Sequence, residues 1–405
     1  MPAKRIETLV IGGGQAGLTM SHRLKQRGMP HLVLERHRIA ERWRSERWDG
    51  LRFQFPNWSV RLPDFDFPHA DPDAFATSGD ILGFIEAYAA FVDPPIRCGV
   101  AVTRLHRDGN GFVAETRDGA IAADNVVVAT GPYQRALMPD LLRDEVGLFQ
   151  VHASRYTNPE EIPEGAVLVI GAGASGAQIA EELCRAGRRV FLAIGQHVRL
   201  PRRYRGRDLT WWFEALGMFD MLPEQRMTKV NPSISGAYGG HTIDFRDFAD
   251  EGITLLGRVT AARDGRLDIA DGLAQNLAQG DFGYSFFLGM MDDFVQKRGL
   301  DLPEDEAARA RRPEPPCVTT PIRRLDLRAE NINAVIWATG YGLDFGWIDI
   351  PVFGANGEPV HRGGVSEVPG LYFLGLQYLS RMKSAFLSHV GDDAADLADH
   401  IAGRR

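Results

Sequence analysis

The chain has 405 residues, of which 44% are hydrophobic, and its formal net charge is -7 at pH 7. A chain of this length usually folds into more than one domain. A net negative charge gives the protein no overall positive potential that would attract nucleic acid. The three cysteines, Cys98, Cys184 and Cys317, form no C-x-x-C pair, which excludes the thiol-disulfide reductases that depend on such a pair. The histidines form no ligand-spaced metal cluster, and no apolar run reaches membrane-spanning length. We therefore expect a soluble cytoplasmic protein with neither nucleic-acid nor membrane partners.

Two glycine-rich turns of the same pattern lie about half a chain apart, at 12–17 and 171–176. Each follows a short apolar run and precedes a segment with helical spacing of apolar residues. A turn of this kind lets backbone N–H groups approach a pyrophosphate at the positive end of a helix. The sequence thus predicts two bound dinucleotides. The residues predicted to contact them are Gly12, Gly14, Gln15, Ala16 and Gly17 in the first turn, and Gly171, Gly173, Ser175 and Gly176 in the second.

The residues that follow the next predicted strand distinguish the two sites. Glu35 stands there after the first turn, and an acidic side chain in this position accepts hydrogen bonds from an unphosphorylated ribose. The second turn has no such acid, and Arg199, Arg202 and Arg203 follow instead. Guanidinium groups pair bidentately with phosphate. This difference predicts FAD in the first site and NADPH in the second, with a solvated surface loop as the alternative interpretation of the arginines.

Two further apolar strands end in the same Ala-Thr-Gly string, at 129–131 and 338–340. We interpret them as hinge strands whose small residues let the backbone pass close to a nucleotide, although a buried strand followed by a turn has the same pattern. Their positions predict an α/β fold with two Rossmann-like dinucleotide-binding domains, the second inserted in the first. Residues 1–155 and 325–405 are predicted to form a discontinuous FAD-binding domain, and 156–324 an NADPH-binding domain with a helical insertion. The cofactor contacts predicted in the strings are Thr130, Gly131, Thr339 and Gly340.

These motifs together resemble those of the flavin-containing monooxygenases, the class B flavoprotein monooxygenases, and the likeness covers most of the chain. His152 and Tyr156 are similar to the family fingerprint that precedes the second turn. Val146 and Leu148 depart from it, since the fingerprint has Phe and Gly there. The string from Trp337 to Tyr341 is a more specific mark of the family. The run 47–63 resembles a bacterial subgroup of FAD- and NAD(P)-binding oxidoreductases.

The resemblance implies a glutathione-reductase-like arrangement and an NADPH-dependent monooxygenase. Such an enzyme forms a C4a-(hydro)peroxyflavin from O2 and inserts one oxygen atom into a small organic substrate, by N- or S-oxygenation or a related reaction. The family places an asparagine near the flavin on the segment after the first turn. That position falls on Gln54 without gaps, while Asn57 lies three residues further on. Both amides are candidates for the catalytic donor, with a slight preference for Asn57. We expect His152 to orient the linker rather than to transfer protons.

Other segments give coarser expectations. The apolar spacing over 211–219 and 273–295 predicts helices with broad apolar faces, which fit a core, the interface of a homodimer or the wall of a substrate channel. The chemistry also leaves alternatives open: an NAD(P)H dehydrogenase or oxidase that releases H2O2, and a regulatory module that senses FAD and NADP(H) without catalysis. A sensor has no need of two cofactors arranged for hydride transfer, which favours an enzyme. Further candidate cofactor contacts are Arg36, Trp43, Val102, Gly375 and Gln377.

Overall fold

The computed structural model describes residues 5–143, 145, 147–226, 228 and 230–404. Val146, one of the two positions that depart from the family fingerprint, lies outside the described residues. The α-helices of the described residues are α1 (Gln15–Gln26), α2 (Glu41–Ser45), α3 (Ser78–Val92), α4 (Ala174–Arg185), α5 (Leu209–Ala215), α6 (Phe245–Asp250), α7 (Leu273–Arg298), α8 (Pro316–Thr319) and α9 (Val390–Ala402).

The strands divide at the second glycine turn. Those before it are β1 (Arg5–Ile11), β2 (His31–Glu35), β3 (Arg61–Leu62), β4 (Phe65–Asp66), β5 (Ile96–Cys98), β6 (Val102–Asp108), β7 (Gly111–Thr116), β8 (Gly119–Val128), β9 (Arg135–Ala136), β10 (Phe149–His152) and β11 (Ala166–Ile170). Those after it are β12 (Val190–Ala193), β13 (Arg203–Tyr204), β14 (Arg207–Asp208), β15 (Thr254–Leu256), β16 (Val259–Arg263), β17 (Arg266–Ile269), β18 (Arg324–Asp326), β19 (Ile332–Trp337), β20 (Tyr341–Gly342), β21 (Ile348–Asp349), β22 (His361–Arg362), β23 (Val365–Ser366) and β24 (Leu371–Phe373).

The larger sheet is 10-stranded and mixed, and much of it is parallel. Its parallel part runs β5-β2-β1-β8, with β24 also pairing in parallel with the end of β8. An antiparallel arm, β6-β7, joins the first half of β8. In the register, Ile11 of β1 faces both Leu34 of β2 and Val128 of β8. The strand ends that carry the first glycine turn, Glu35 and the first Ala-Thr-Gly string therefore meet at one edge of the sheet.

The second sheet is 5-stranded, in the order β10-β19-β11-β12-β15, and all its neighbours pair in parallel. Trp337 at the end of β19 faces both Ile170 of β11 and His152 of β10. The second glycine turn, the second Ala-Thr-Gly string and the linker histidine thus follow adjacent strand ends, as in the first sheet. The buried faces of the two sheets read as continuous runs of Val, Leu, Ile and Ala, which is typical of parallel strands covered on both sides.

The sheet pairing moves the expected domain boundaries. Strand β10 and strand β19 both belong to the second sheet, whereas the predicted boundaries assigned residues up to 155 and from 325 onwards to the FAD-binding domain. The second Ala-Thr-Gly string therefore ends a strand of the second sheet rather than opening the return to the first. An apolar run predicts a strand but does not say which sheet the strand joins. The chain passes between the two sheets twice, and the two connecting segments lie side by side. Their strands β9 and β20 pair antiparallel, with Tyr341 opposite Ala136.

The insertion between β12 and β18 contains its own apolar cluster. Trp212 and Phe213 of α5 are 0% and 3% exposed, and Phe287 of α7 is 3% exposed. Along α7, the residues Leu273, Leu277, Gly280, Tyr284 and Phe287 are buried, a spacing of three and four that confirms the predicted amphipathic helix. The structure therefore has a mixed α/β fold with a helical element packed beside the second sheet.

Candidate active site

The first glycine turn joins β1 to α1. Gly12 has a φ of 121°, and a Cβ on this residue would collide with the carbonyl oxygen of Ala129. A Cβ on Gly17 would collide with the oxygen of Gly12, so both glycines are required by backbone packing. Gly14 has nothing within 4 Å of its Cβ position and lines a large cavity. No side chain caps α1, which leaves its first N–H groups available to an anion.

The second glycine turn, between β11 and α4, repeats this geometry. Gly171 has a φ of 109°, and its Cβ would collide with the carbonyl oxygen of Ala338, while a Cβ on Gly176 would collide with the oxygen of Gly171. Gly173 is open in the same way as Gly14, and Gly173 and Ser175 line the cavity. No side chain caps α4 either. The two turns thus have equivalent geometry, and each leaves helix N–H groups that could bind an anion.

The Ala-Thr-Gly strings supply the small residues against which these turns pack. After their alanines, Thr130, Gly131 and Gly340 line the cavity, whereas Thr339 does not. The hydroxyl of Thr339 donates instead to the backbone oxygen of Leu137 at the chain crossing. Gly131 and Gly340 have φ values of 73° and 83°, so each string ends in a left-handed turn that favours glycine.

Glu35 lies at the end of β2 and lines the cavity beside the first turn. Its Oε2 accepts a hydrogen bond from the Gly13 N–H at 2.6 Å, and its Oε1 accepts one from the His37 N–H at 2.9 Å. The carboxylate is therefore fixed by the backbone and keeps lone pairs for a ligand hydroxyl. Three other predicted contacts of the first site, Arg36, Trp43 and Val102, also line the cavity.

The arginines predicted to bind a 2′-phosphate are all engaged elsewhere. Arg199 donates at 2.7 Å to both Asp244 and Asp281. Arg202 is 3% exposed and donates to Asp208. Arg203 donates to the backbone oxygens of residues 239 and 240. None of the three lines the cavity, so their contact with a 2′-phosphate stays a prediction from the sequence that these partners do not favour. Sequence shows the sign of a charge but not its partner.

Arg52 and Arg155 are among the cavity-lining arginines that sequence reasoning missed. Both are exposed, and neither side chain pairs with any residue that the structure describes. The backbone N–H of Arg52 donates to Gln178 of α4 at 3.4 Å, so this residue of the first unit lies beside the helix of the second turn. The sequence signal that could have found them is the presence of arginine in the segments 47–52 and 152–156. These segments precede the second turn, whereas the arginines predicted from the sequence follow it.

Of the two candidate amides, only Gln54 lines the cavity. Its side chain has no hydrogen-bond partner among the described residues, while its backbone oxygen accepts from Arg202 at 2.7 Å. Asn57 is 9% exposed and donates from Nδ2 to the backbone oxygen of Asp71 at 3.0 Å. The lining therefore favours Gln54 over Asn57, whose amide holds a loop outside it, and the role of either amide stays a prediction.

His152 connects the linker to the second Ala-Thr-Gly string. It is 2% exposed, and its Nε2 donates to the backbone oxygen of Gly340 at 3.0 Å. The Ser154 hydroxyl lies 3.0 Å from Nδ1. Burial lowers the pKa of His152 below its ordinary value, so the imidazole is neutral near pH 7. These contacts favour the expected orienting role over proton transfer.

The C-terminal return packs on the start of α1. Gly375 follows β24 with a φ of 76°, and a Cβ there would lie 2.7 Å from the Cβ of Ala16. Gln15 donates from Nε2 to the backbone oxygen of Ala385 at 2.9 Å. Gln377 lines the cavity together with Gly375, Gln15 and Ala16. The residues predicted from the two ends of the chain are therefore brought together beside the first turn.

A single cavity of about 1230 Å³ is lined by both glycine turns, by Gln54 and by the C-terminal return. Ligands held at the two turns would therefore share one chamber. Within the described ranges, no group of three or more His, Cys, Asp or Glu side chains could hold a metal ion. No helix among these residues is long and apolar enough to cross a membrane.

Comparison with known proteins agrees with this geometry. Residues 9–206 match the profile of the pyridine nucleotide-disulphide oxidoreductase family. The chain is 32% identical to the CzcO-like oxidoreductase of Geobacillus kaustophilus over 98% of both chains. It is 32% identical over 205 residues to a probable indole-3-pyruvate monooxygenase of Arabidopsis thaliana, which covers 49% of each chain. A flavin-containing monooxygenase from Stenotrophomonas maltophilia has a similar fold, with a TM-score of 0.68 at 18% identity and 99% coverage of both chains.

The fold and the site therefore define an enzyme of the oxidoreductase class that is related to flavin-containing monooxygenases. Within that class, the chain belongs to the family of CzcO-like oxidoreductases. This confirms the family resemblance that its motifs suggested. The same comparisons support FAD and NADPH as the cofactors.

Proposed function

We propose that this oxidoreductase is an FAD-dependent monooxygenase that uses NADPH and O2 to insert one oxygen atom into a small organic substrate. The observation that carries the proposal is the cavity that both uncapped glycine turns share. Hydride transfer requires the two cofactors to meet, and two separate clefts would not allow it. The cytoplasmic location and the homodimer stay predictions from the sequence.

We assign the two sheets to the two cofactors. In this proposal the 10-stranded sheet with the first turn binds FAD, and the 5-stranded sheet with the second turn binds NADPH. The FAD-binding domain is discontinuous, with its crossings at β9 and β20. This keeps the predicted order of domains and moves the limits of the inserted one outward, to β10 and β19.

The donor sets fit the two dinucleotides. The backbone N–H groups of the first turn would bind the FAD pyrophosphate, and Glu35 would accept from the ribose. In the second turn, Gly173 and Ser175 face the same cavity. Arg52 and Arg155 would contact the phosphates of NADPH, since they line the cavity with unpaired guanidinium groups and phosphate is the natural partner of such groups.

When bound, the flavin supplies the redox chemistry, accepting a hydride from NADPH and then reacting with O2. Gln54 contributes an amide N–H at the cavity wall, in a position to donate to negative charge that develops on oxygen. Arg202, held by Asp208, fixes the backbone at Gln54 and acts as a positioning residue. His152 holds the linker as a neutral imidazole.

Stopped-flow spectroscopy of the holoenzyme tests the proposal. NADPH should bleach the flavin under anaerobic conditions, and O2 should then restore the oxidised spectrum in two resolved steps, with little H2O2 when an oxidisable substrate is present. With methyl phenyl sulfide and isotopically labelled O2, one labelled oxygen atom should appear in the sulfoxide. A single fast step with one H2O2 for each NADPH would identify an oxidase instead. Failure of NADPH to bleach the flavin would favour a sensing module.

A further inference from the structure

One side of the cavity is built from apolar side chains, and we call it the apolar chamber. Its wall comes from the insertion and from two segments of the first unit, through Phe55, Phe213, Met221, Phe287, Met290 and Phe386. The rings of Phe213 and Phe287 pack edge to face with centroids 5.6 Å apart, and those of Phe55 and Phe386 lie 5.0 Å apart. Because Phe55 follows Gln54 directly, the chamber adjoins the candidate amide.

The chamber carries almost no charge. Among the described lining residues in 196–290 and 375–387, Arg226 is the only one with a charged side chain at neutral pH. Its Nε donates to the Thr228 oxygen, and its guanidinium lies over the ring of Tyr378. Burial lowers the pKa of His197, which is therefore neutral. The carboxylates that line the cavity are Glu35, Glu41, Glu46 and Asp344, and all four lie outside these two segments.

The chamber opens to solvent beside two exposed aromatic rings on α7. Phe282 and Phe286 are 75% and 55% exposed, and both line the cavity. Large apolar side chains that are exposed next to one another mark a binding surface more often than expected by chance. Met221 and Met290 are half-buried, and their flexible thioethers adapt to ligands of different shape.

We propose that the apolar chamber binds an uncharged, apolar substrate that enters past Phe282 and Phe286 and presents its oxidisable atom near Gln54. The reason is that a charged group would lose its hydration here, while the one cation of these lining segments, Arg226, already has partners in Thr228 and Tyr378. Each methylene, in contrast, gains from leaving water. The proposal deepens the proposed monooxygenase function and rests on it for the oxidation, but not for the binding.

The test measures binding apart from turnover. Oxidised holoenzyme is titrated with n-butyl, n-hexyl and n-octyl methyl sulfide, and with an octyl methyl sulfide that ends in a carboxylate, while the visible flavin spectrum is followed. For the neutral series, Kd should fall about fourfold with each added methylene, the equivalent of about 0.8 kcal/mol. The carboxylate should bind more weakly than the neutral sulfide of the same length.

Two variants at exposed residues of α7 locate the effect. Phe286→Glu places a carboxylate on the lining and should weaken octyl sulfide binding at least about tenfold. Ser285→Glu adds the same charge at a neighbouring exposed residue outside the lining and should leave Kd unchanged. A Kd independent of chain length, tighter binding of the carboxylate, or equal effects of the two variants would overturn the proposal. Length-dependent binding without any sulfoxide would support the chamber and contradict the monooxygenase function.

Discussion

At the residue scale, Gln54 and Asn57 carry the same functional group and have different roles. Asn57 is buried, and its amide is used by the backbone of Asp71. Gln54 lines the cavity. Arg202 holds the backbone oxygen of Gln54 and leaves its side-chain amide free. A fixed backbone with a free amide suits a group that must donate to a transient charge. The residue type alone favoured Asn57, whereas the cavity lining favours Gln54.

Gln54→Leu should uncouple the enzyme. The change removes the donor with little change in volume, and one well-placed donor is worth about 2.7 to 4 kcal/mol. We expect NADPH to reduce the flavin at an unchanged rate, while the ratio of H2O2 released to NADPH consumed rises. Peroxide detection beside NADPH absorbance measures this ratio. Asn57→Ala is the matched control: its free energy of unfolding should fall by about 1 to 3 kcal/mol with coupling intact. Wild-type coupling in Gln54→Leu would contradict the assignment.

At the scale of elements, the two turns are equivalent because each one follows a strand and packs on the end of a neighbouring strand of the same sheet. In both sheets the first glycine of the turn packs on the carbonyl of an alanine that ends a neighbouring strand. A side chain on either glycine would therefore have to move the backbone. In the proposed function, the cations that serve the second turn come from a loop before α3 and from the linker after β10, which line the cavity, and not from the arginines that follow β12, which do not.

Arg52→Ala and Arg155→Ala should each weaken the binding of NADP⁺ to the oxidised holoenzyme. The loss of a charged hydrogen bond costs about 1.5 to 3 kcal/mol, or roughly tenfold to a hundredfold in Kd. Calorimetric titration with NADP⁺ and NAD⁺ measures the effect. An effect on NADP⁺ alone would assign the residue to the 2′-phosphate, and an equal effect on both would assign it to the pyrophosphate.

Arg203→Ala is the control for these arginine variants. Arg203 is exposed and contacts only backbone oxygens, so its loss should leave both dissociation constants unchanged. If Arg203→Ala weakened NADP⁺ as much as Arg52→Ala and Arg155→Ala, or if neither of the latter had an effect, the assignment of Arg52 and Arg155 would be wrong.

At the scale of the whole molecule, a polar contact joins the loop before α3 to the second unit. The Asp49 N–H donates to the Thr157 oxygen at 2.9 Å, and the Tyr156 hydroxyl donates to Glu182 of α4 at 2.9 Å. A Cβ on Gly50 would collide with the Glu182 carboxyl. Burial, opposed by the Tyr156 hydrogen bond, raises the pKa of Glu182 to about 7. The contact between the units thus contains a carboxyl that ionises near neutral pH.

Glu182→Gln should change how stability depends on pH. In the wild type the folded state holds the Glu182 proton up to about pH 7, whereas the unfolded chain releases it near 4.5. The contribution of this carboxyl is therefore fully present below the unfolded value and is lost as the pH rises through the folded value. Glu182→Gln cannot ionise and keeps an acceptor for Tyr156. Its free energy of unfolding should therefore rise relative to that of the wild type across this window, by about 1 to 2 kcal/mol after solvent screening of the partly exposed carboxyl is allowed for.

Urea unfolding of both proteins at about pH 4.5 and about pH 8 measures the difference. Comparison with the wild type at each pH cancels the opposite trend of buried histidines such as His389, whose pKa burial lowers to about 4. A constant difference between the two proteins over this range would show that Glu182 ionises normally.

Much of the site could be predicted because glycine turns are local. Gly12, Gly14 and Gly17 lie within six residues of one another, and the helix that follows them supplies the N–H groups of the turn. A short motif is therefore enough to predict this geometry. The same holds for Glu35, whose place at a strand end is set by the length of one strand-helix-strand unit. The family resemblance rested on motifs of this kind, and the α/β fold followed from them.

What the sequence determined by itself, then, was which segments form turns, strands and amphipathic helices, and that two dinucleotide motifs share one chain. Only the tertiary structure decided the partners. It placed β10 and β19 in the second sheet, it paired Arg199 and Arg202 with carboxylates, and it left Arg52 facing the cavity. Strand neighbours and ion pairs are contacts between residues far apart in the chain, and a side chain's charge or apolar character is the same whichever partner the fold brings to it.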